Sequence, residues 1–124
     1  MMDKLFYIGC TLALTVFGQL IMKARALVHT SDKAGGNKFD YLLAMYTDVG
    51  VLSGLGAAVL ASIFWAMALE RAGLGFAYPF MALSFVVVPL AASLLFDEAV
   101  SPMQFLGLII IVVGVAINAL AYKN

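Results

Sequence analysis

Apolar runs and charged residues alternate along this chain without overlapping. Residues 5–22, 49–69, 76–96 and 102–122 contain no Asp, Glu, Lys, Arg or His, and every charged residue falls between or beyond them. A helix rises about 1.5 Å per residue, so about 20 apolar residues cross a hydrocarbon core of about 30 Å. Each run has that length. The pattern predicts an all-α integral membrane protein, with four antiparallel transmembrane helices forming a single domain over residues 1–124. The links at 70–75 ("ERAGLG") and 97–101 ("DEAVS") are short enough to force neighbouring spans to run antiparallel.

The connection over residues 23–48 is different. Its polar, Gly-rich part, "HTSDKAGGNK", reads as a mobile loop. Its end, "KFDYLLAMYTD", places Phe39, Leu42, Leu43 and Tyr46 at i, i+3, i+4 and i+7, on one helical face. An interfacial helix over 38–48 follows, either lying on the membrane surface or extending the second span. The start of the chain also imitates a signal peptide, with Lys4, an apolar run and Ala24-Arg25-Ala26. The run is longer than the usual 7–15 residues and is closed by Gln19 and Lys23, so the segment is expected to stay as a span.

Composition agrees. The apolar fraction is 65%, against about 45–50% in soluble domains, and the mean hydropathy is +1.06. Net charge is zero, which gives nucleic acid no basic patch to bind. A lone Cys10 and a lone His29 supply neither a disulfide nor a metal cluster. No Ser/His/Asp set or phosphate loop is present, so neither an enzyme nor a cofactor is expected. Lys4, Arg71 and Lys123 lie on one side of the predicted membrane and Lys23, Arg25, Lys33 and Lys38 on the other, too even a split to fix orientation.

The most telling feature is that no span contains Asp, Glu, Lys, Arg or His. Proton-coupled transporters ordinarily keep one there. What remains is weakly polar. Thr11, Thr15 and Gln19 share one face of the first span, beside Gly18. They suit a groove for a polar headgroup, or equally hydrogen bonding between helices. Gly50, Gly54, Ala57, Ala58 and Ala61 make the second span a surface for close helix approach, with Trp65 beyond them. In the third span Pro79 and Pro89 each remove a backbone donor, so this helix is expected to break or bend where it lines a cavity. Tyr78 stands beside the first break. Gly107, Ile111, Gly114 and Asn118 form a small-residue seam on the fourth span, within the subunit or between two. Between spans three and four, Ser101 and Pro102 read as the N-cap and first residue of a helix, with Gln104 reaching back. Asp97 and Glu98 precede that start at the membrane surface.

The stretch over residues 75–118, "GFAYPFMALSFVVVPLAASLLFDEAVSPMQFLGLIIIVVGVAIN", resembles the drug/metabolite transporter superfamily and its EamA-type repeats. "YIGCTLALTVFGQLIMKA" and "GLIIIVVGV" are similar to the first and fourth helices of the four-helix small multidrug resistance branch. Exporters of that branch carry a membrane-embedded glutamate where Thr15 stands here, which argues against proton-coupled drug export. "GQLIMKARA", "GFAYP", "LSFV" and Glu98 with Val100-Ser101-Pro102 instead resemble small subunits that flip aminoarabinose linked to undecaprenyl phosphate. The resemblance implies translocation of a polyprenyl-phosphate-linked sugar across the bacterial inner membrane, by a homodimer or a heterodimer with another small four-helix subunit. Export of a small soluble compound and a non-transporting accessory role stand as alternatives. The candidate headgroup residues are Thr15, Gln19, Lys23, Arg71, Tyr78 and Glu98. Lys23, Arg25 and Arg71 are cations for a phosphate, although Lys and Arg at helix ends also snorkel to ordinary headgroups.

Overall fold

The computed structural model describes residues 2–32 and 37–123; residues 1, 33–36 and 124 lie outside the described residues, and with 33–36 go Lys33 and the Gly-rich part of the expected mobile loop. All regular structure among the described residues is helical: α1 (Met2–Asp32), α2 (Lys38–Tyr46), α3 (Val49–Arg71), α4 (Leu74–Met81), α5 (Ser84–Leu95) and α6 (Pro102–Lys123). Met2–His29, Val49–Arg71, Leu74–Leu95 and Pro102–Tyr122 are each long and apolar enough to cross a membrane.

The first helix is longer than the apolar run that predicts it. Residues 23–32, expected as loop, continue α1 to Asp32. The stretch "KARALVH" holds good helix formers and no Gly or Pro. Arg25 and His29, one turn apart, are both held by Asp48 from the start of α3. At 31 residues, α1 is about 46 Å long and overshoots the hydrocarbon core by about 16 Å. The segment over 38–48 forms its own helix, α2, capped by the Asn37 side chain and closed at Thr47. It does not extend the second span, because Asp48 is extended and caps α3 by accepting from the Gly50 and Val51 amides.

α1 packs mainly along α3. Asp3 meets Arg71 at one end and Arg25 meets Asp48 at the other, so the two helices run in opposite directions. Their crossing needs glycine: a Cβ on Gly54 would stand 2.6 Å from the Ile21 Cγ2 methyl, and one on Gly18 would stand 3.3 Å from the Gly54 carbonyl oxygen. Val51, Gly54, Ala57, Ala61 and Ala68 form the buried face of α3. Ala58, predicted with them, points outward into a groove. Ile8, Ala68, Ala72, Phe76 and Ala77 make a core cluster near the Asp3–Arg71 end, backed by Tyr7, Trp65, Leu69 and Phe80.

The third span is broken between its prolines. Pro79 and Pro89 lie inside α4 and α5, and the discontinuity falls at residues 82–83. There the backbone tightens to i→i+3 bonds, Ala82 to Pro79 and Leu83 to Phe80, and Ser84 Oγ donates to the Met81 carbonyl at 2.7 Å. Each proline removes one rung of the ladder and crowds the turn before it. The intervening turn takes up the misfit as a short 3₁₀ step.

Elsewhere the surface is apolar. Leu94 is 83% exposed and Ile110 63%, which suits lipid and not water. Ser53, Ser62 and Ser93 donate back to carbonyls three residues earlier, so these hydroxyl donors are paired within their own helices.

Candidate functional site

The broken span leaves space on one flank of the α1–α3 pair. A groove of about 1000 Å³ lies among α1, α3, α4 and α5, and among the described residues no charged one lines it. Its polar side chains include Thr11, Thr15, Gln19, Tyr78 and Ser84. Two of these are already engaged. Thr11 Oγ1 donates to the Tyr7 carbonyl at 2.9 Å and lies 3.5 Å from the Ala61 carbonyl, buried at the helix contact, which is the packing role. Ser84 donates within its own helix break. Among the described residues, no hydrogen bond engages the side chains of Thr15, Gln19 or Tyr78. Trp65 meets Tyr78 edge to face with ring centroids 6.0 Å apart, giving the groove an aromatic wall beside Pro79.

A smaller cleft of about 380 Å³ adjoins it, between α1 and α2, lined by residues that include Gln19, Met22, Lys23, Tyr41 and Tyr46. Gln19 and Met22 line both spaces. At the rim, Lys23 Nζ lies 2.9 Å from Glu98 Oε1. Glu98 gets there through the turn after α5. Asp97 takes φ 53°, the left-handed region, which Asp tolerates better than most residues. Gln104 N–H then donates to Ser101 Oγ at 3.1 Å, as expected for the cap of α6. The Lys23 and Glu98 side chains are 45% and 46% exposed, and an ion pair so open to solvent contributes at most about 1 kcal/mol. It is a contact easily exchanged.

The other candidate cations are placed elsewhere. Arg71 sits at the opposite end, 3.7 Å from Asp3 and over the Tyr7 ring at 5.4 Å; the fold does not bring it to the groove. Arg25 grips Asp48 with Nε at 3.0 Å from both carboxylate oxygens and Nη2 at 2.6 Å from Oδ2. His29, solitary in the sequence, lies 2.8 Å from the same Oδ2. The Arg25 guanidinium holds the Asp48 carboxyl well below the usual carboxylate range, helped by His29 and the Gly50 and Val51 amides, against the opposing effect of desolvation. This clamp ties the overshooting end of α1 to the start of α3. Its sequence signal was the i, i+4 pair of basic side chains and an acid just before an apolar run.

The seam on α6 is open. A Cβ on Gly107 or Gly114 would meet nothing within 4 Å, and the buried Asn118 Oδ1 has no partner among the described residues. α6 packs on α4 and α5 through other positions, Leu108 and Val115 among the buried ones.

A charge-free groove flanked by a broken helix, in a bundle of four membrane-length helices, defines a small multi-pass membrane protein of the transporter type. Residues 5–120 match the EamA-like transporter family, and the chain belongs to it. It is 47% identical over 58 residues, 47% of this chain and 50% of the relative, to the probable 4-amino-4-deoxy-L-arabinose-phosphoundecaprenol flippase subunit ArnE of Pseudomonas aeruginosa (strain LESB58). Proteins of the same description are similar at 32% identity over 77 residues in Pseudomonas savastanoi pv. phaseolicola (62% of this chain, 68% of the relative) and 41% over 58 residues in Escherichia coli O139:H28 (47% and 52%). The chain spans about half the length of most of these curated relatives. No solved structure matches it. Its four spans and its relatives make it a multi-pass protein of the bacterial inner membrane.

Proposed function

We propose that this chain is a subunit of a flippase that moves a polyprenyl-phosphate-linked sugar across the inner membrane, and that it is a transporter component and not an enzyme. The observation that carries the reading is the groove: about 1000 Å³, lined by apolar side chains, no charged ones and a few free polar ones. A lipid chain remains in the bilayer while only its headgroup crosses, so the path needs scattered hydrogen-bonding groups and no buried charge. Thr15, Gln19 and Tyr78 supply them along the wall. Relatives named as flippase subunits for an aminoarabinose lipid support the cargo class. The lack of any charged residue among the described lining of the groove counts against export of a soluble cation. The role of accessory subunit predicts no ligand response at all.

The working unit on this reading is a homodimer or a heterodimer with another small four-helix subunit. Open space over Gly107 and Gly114 on one helix supports a second helix seated on α6.

A thermal-shift comparison tests the cargo class. Polyprenyl-phosphate sugars should raise the melting temperature of the purified protein, and soluble organic cations should not. The converse result would replace the flippase reading with that of a soluble exporter.

A further inference from the structure

The cleft between α1 and α2 adjoins the main groove, and Gln19 and Met22 line both. Its position is fixed by the fold. α2 ends at Tyr46, and Asp48 starts the span α3, so only Thr47 separates α2 from the membrane boundary. The cleft therefore sits at headgroup depth, while the groove runs into the hydrocarbon. The cation among its lining residues is Lys23, and Tyr41 and Tyr46 face it from α2. Lys23 is held by Glu98, a half-exposed partner from a different part of the chain. The nearby Arg25 is engaged by Asp48 and is not similarly exchangeable.

We propose that this cleft receives the phosphate of a prenyl-phosphate lipid, with Lys23 exchanging the Glu98 carboxylate for the phosphate while the prenyl chain lies in the adjoining groove. The proposal rests on the lipid-cargo reading above and adds where the phosphate docks and what it displaces. Glu98 acts as a placeholder. It keeps the Lys23 ammonium paired in the resting protein and competes with the incoming anion. Exchange leaves Glu98 free at the rim, beside the headgroup, where it would favour a sugar bearing an amine and disfavour one bearing a carboxylate.

Trp65, the chain's single tryptophan, lines the groove against Tyr78, so its fluorescence reports a chain entering there. The full-length protein in a phosphate-free maltoside detergent is titrated with undecaprenyl phosphate, undecaprenol and inorganic phosphate. Undecaprenyl phosphate should bind roughly tenfold more tightly than undecaprenol, the worth of one charge-assisted contact at a half-exposed site. Lys23→Met should reduce that ratio to about one without weakening undecaprenol. Glu98→Gln should tighten undecaprenyl phosphate by roughly threefold, because the competitor is gone; a purely structural ion pair would loosen it instead. A ratio of one in the wild type, a ratio unchanged in Lys23→Met, or weaker phosphate binding in Glu98→Gln would each overturn the proposal and leave the groove reading intact. Inorganic phosphate that displaces undecaprenyl phosphate at comparable concentrations would reassign the cleft to a soluble anion. If neither lipid perturbs Trp65, the groove reading fails and this proposal with it.

Discussion

Gly54 is the residue on which the crossing of α1 and α3 depends, and replacing it by alanine separates packing from helix propensity. The added methyl would stand 2.6 Å from Ile21 Cγ2, where carbon atoms prefer about 3.5–4.0 Å. The neighbour is a β-branched methyl with little rotameric freedom, so the helices must part by about 1 Å. Overpacking of this kind costs about 1–3 kcal/mol. Alanine also gains about 1 kcal/mol over glycine in a helix, which would mask part of the loss. Gly56→Ala supplies the control. It lies on the same helix, carries the same chemistry, and its Cβ would meet nothing within 4 Å. Thermal unfolding in detergent should place Gly54→Ala below Gly56→Ala by about 1–3 kcal/mol. Adding Ile21→Leu, which removes the branch methyl at similar volume, should close most of the gap. Equal stabilities for the two alanine variants would refute the close crossing and, with it, the shape of the groove floor that Gly18 and Gly54 help line.

Three further outcomes follow from named contacts. Because the Asp48 carboxyl is depressed in the folded protein, its contribution to stability is full above its ordinary value of 3.8 and fades as pH falls below it. Melting temperature followed from pH 6 to 3 should therefore fall below about pH 4 in the wild type, and Asp48→Asn should be less stable at pH 6 and lack that dependence; parallel profiles would remove the clamp. Asp97 holds φ 53° without being glycine, so Asp97→Gly should be neutral or stabilising by up to about 1 kcal/mol and Asp97→Val destabilising by more, as read by chemical unfolding. Gly114→Leu should leave the melting of the isolated chain unchanged while lowering cross-linked dimer yield severalfold, because the position faces open space; a misfolded chain would show that α6 packs differently.

The spans could be read from the sequence because the bilayer enforces a coarse rule, which the charge-free runs obey. The ends of α1 and α2 were less legible. Whether residues 23–32 continue a helix depends on Asp48 reaching back to Arg25 and His29, and hydropathy does not register such a contact. The site of the helix break was also indistinct, since two prolines announce a distortion but the tightened turn fell between them at residues 82–83. Among the candidate residues, Thr15, Gln19, Tyr78 and Pro79 came together because they lie on facing sides of neighbouring spans. The meeting of Lys23 with Glu98 could not be read from spacing, being set by a left-handed turn at Asp97. The predicted topology already set Arg71 on the opposite side from Lys23, and the fold keeps it there beside Asp3.

Flippase activity is read by translocation of the headgroup itself. The protein is reconstituted into vesicles with undecaprenyl-phosphate-linked amino sugar, alone and with a second small four-helix subunit, and the sugar exposed to a membrane-impermeant amine reagent is followed over time. Cargo initially protected inside should become reactive at a protein-dependent rate, which Gln19→Leu with Tyr78→Phe lowers at least severalfold. Protected cargo that stays protected with either subunit arrangement, in vesicles where the protein is folded and inserted, would contradict the flippase reading.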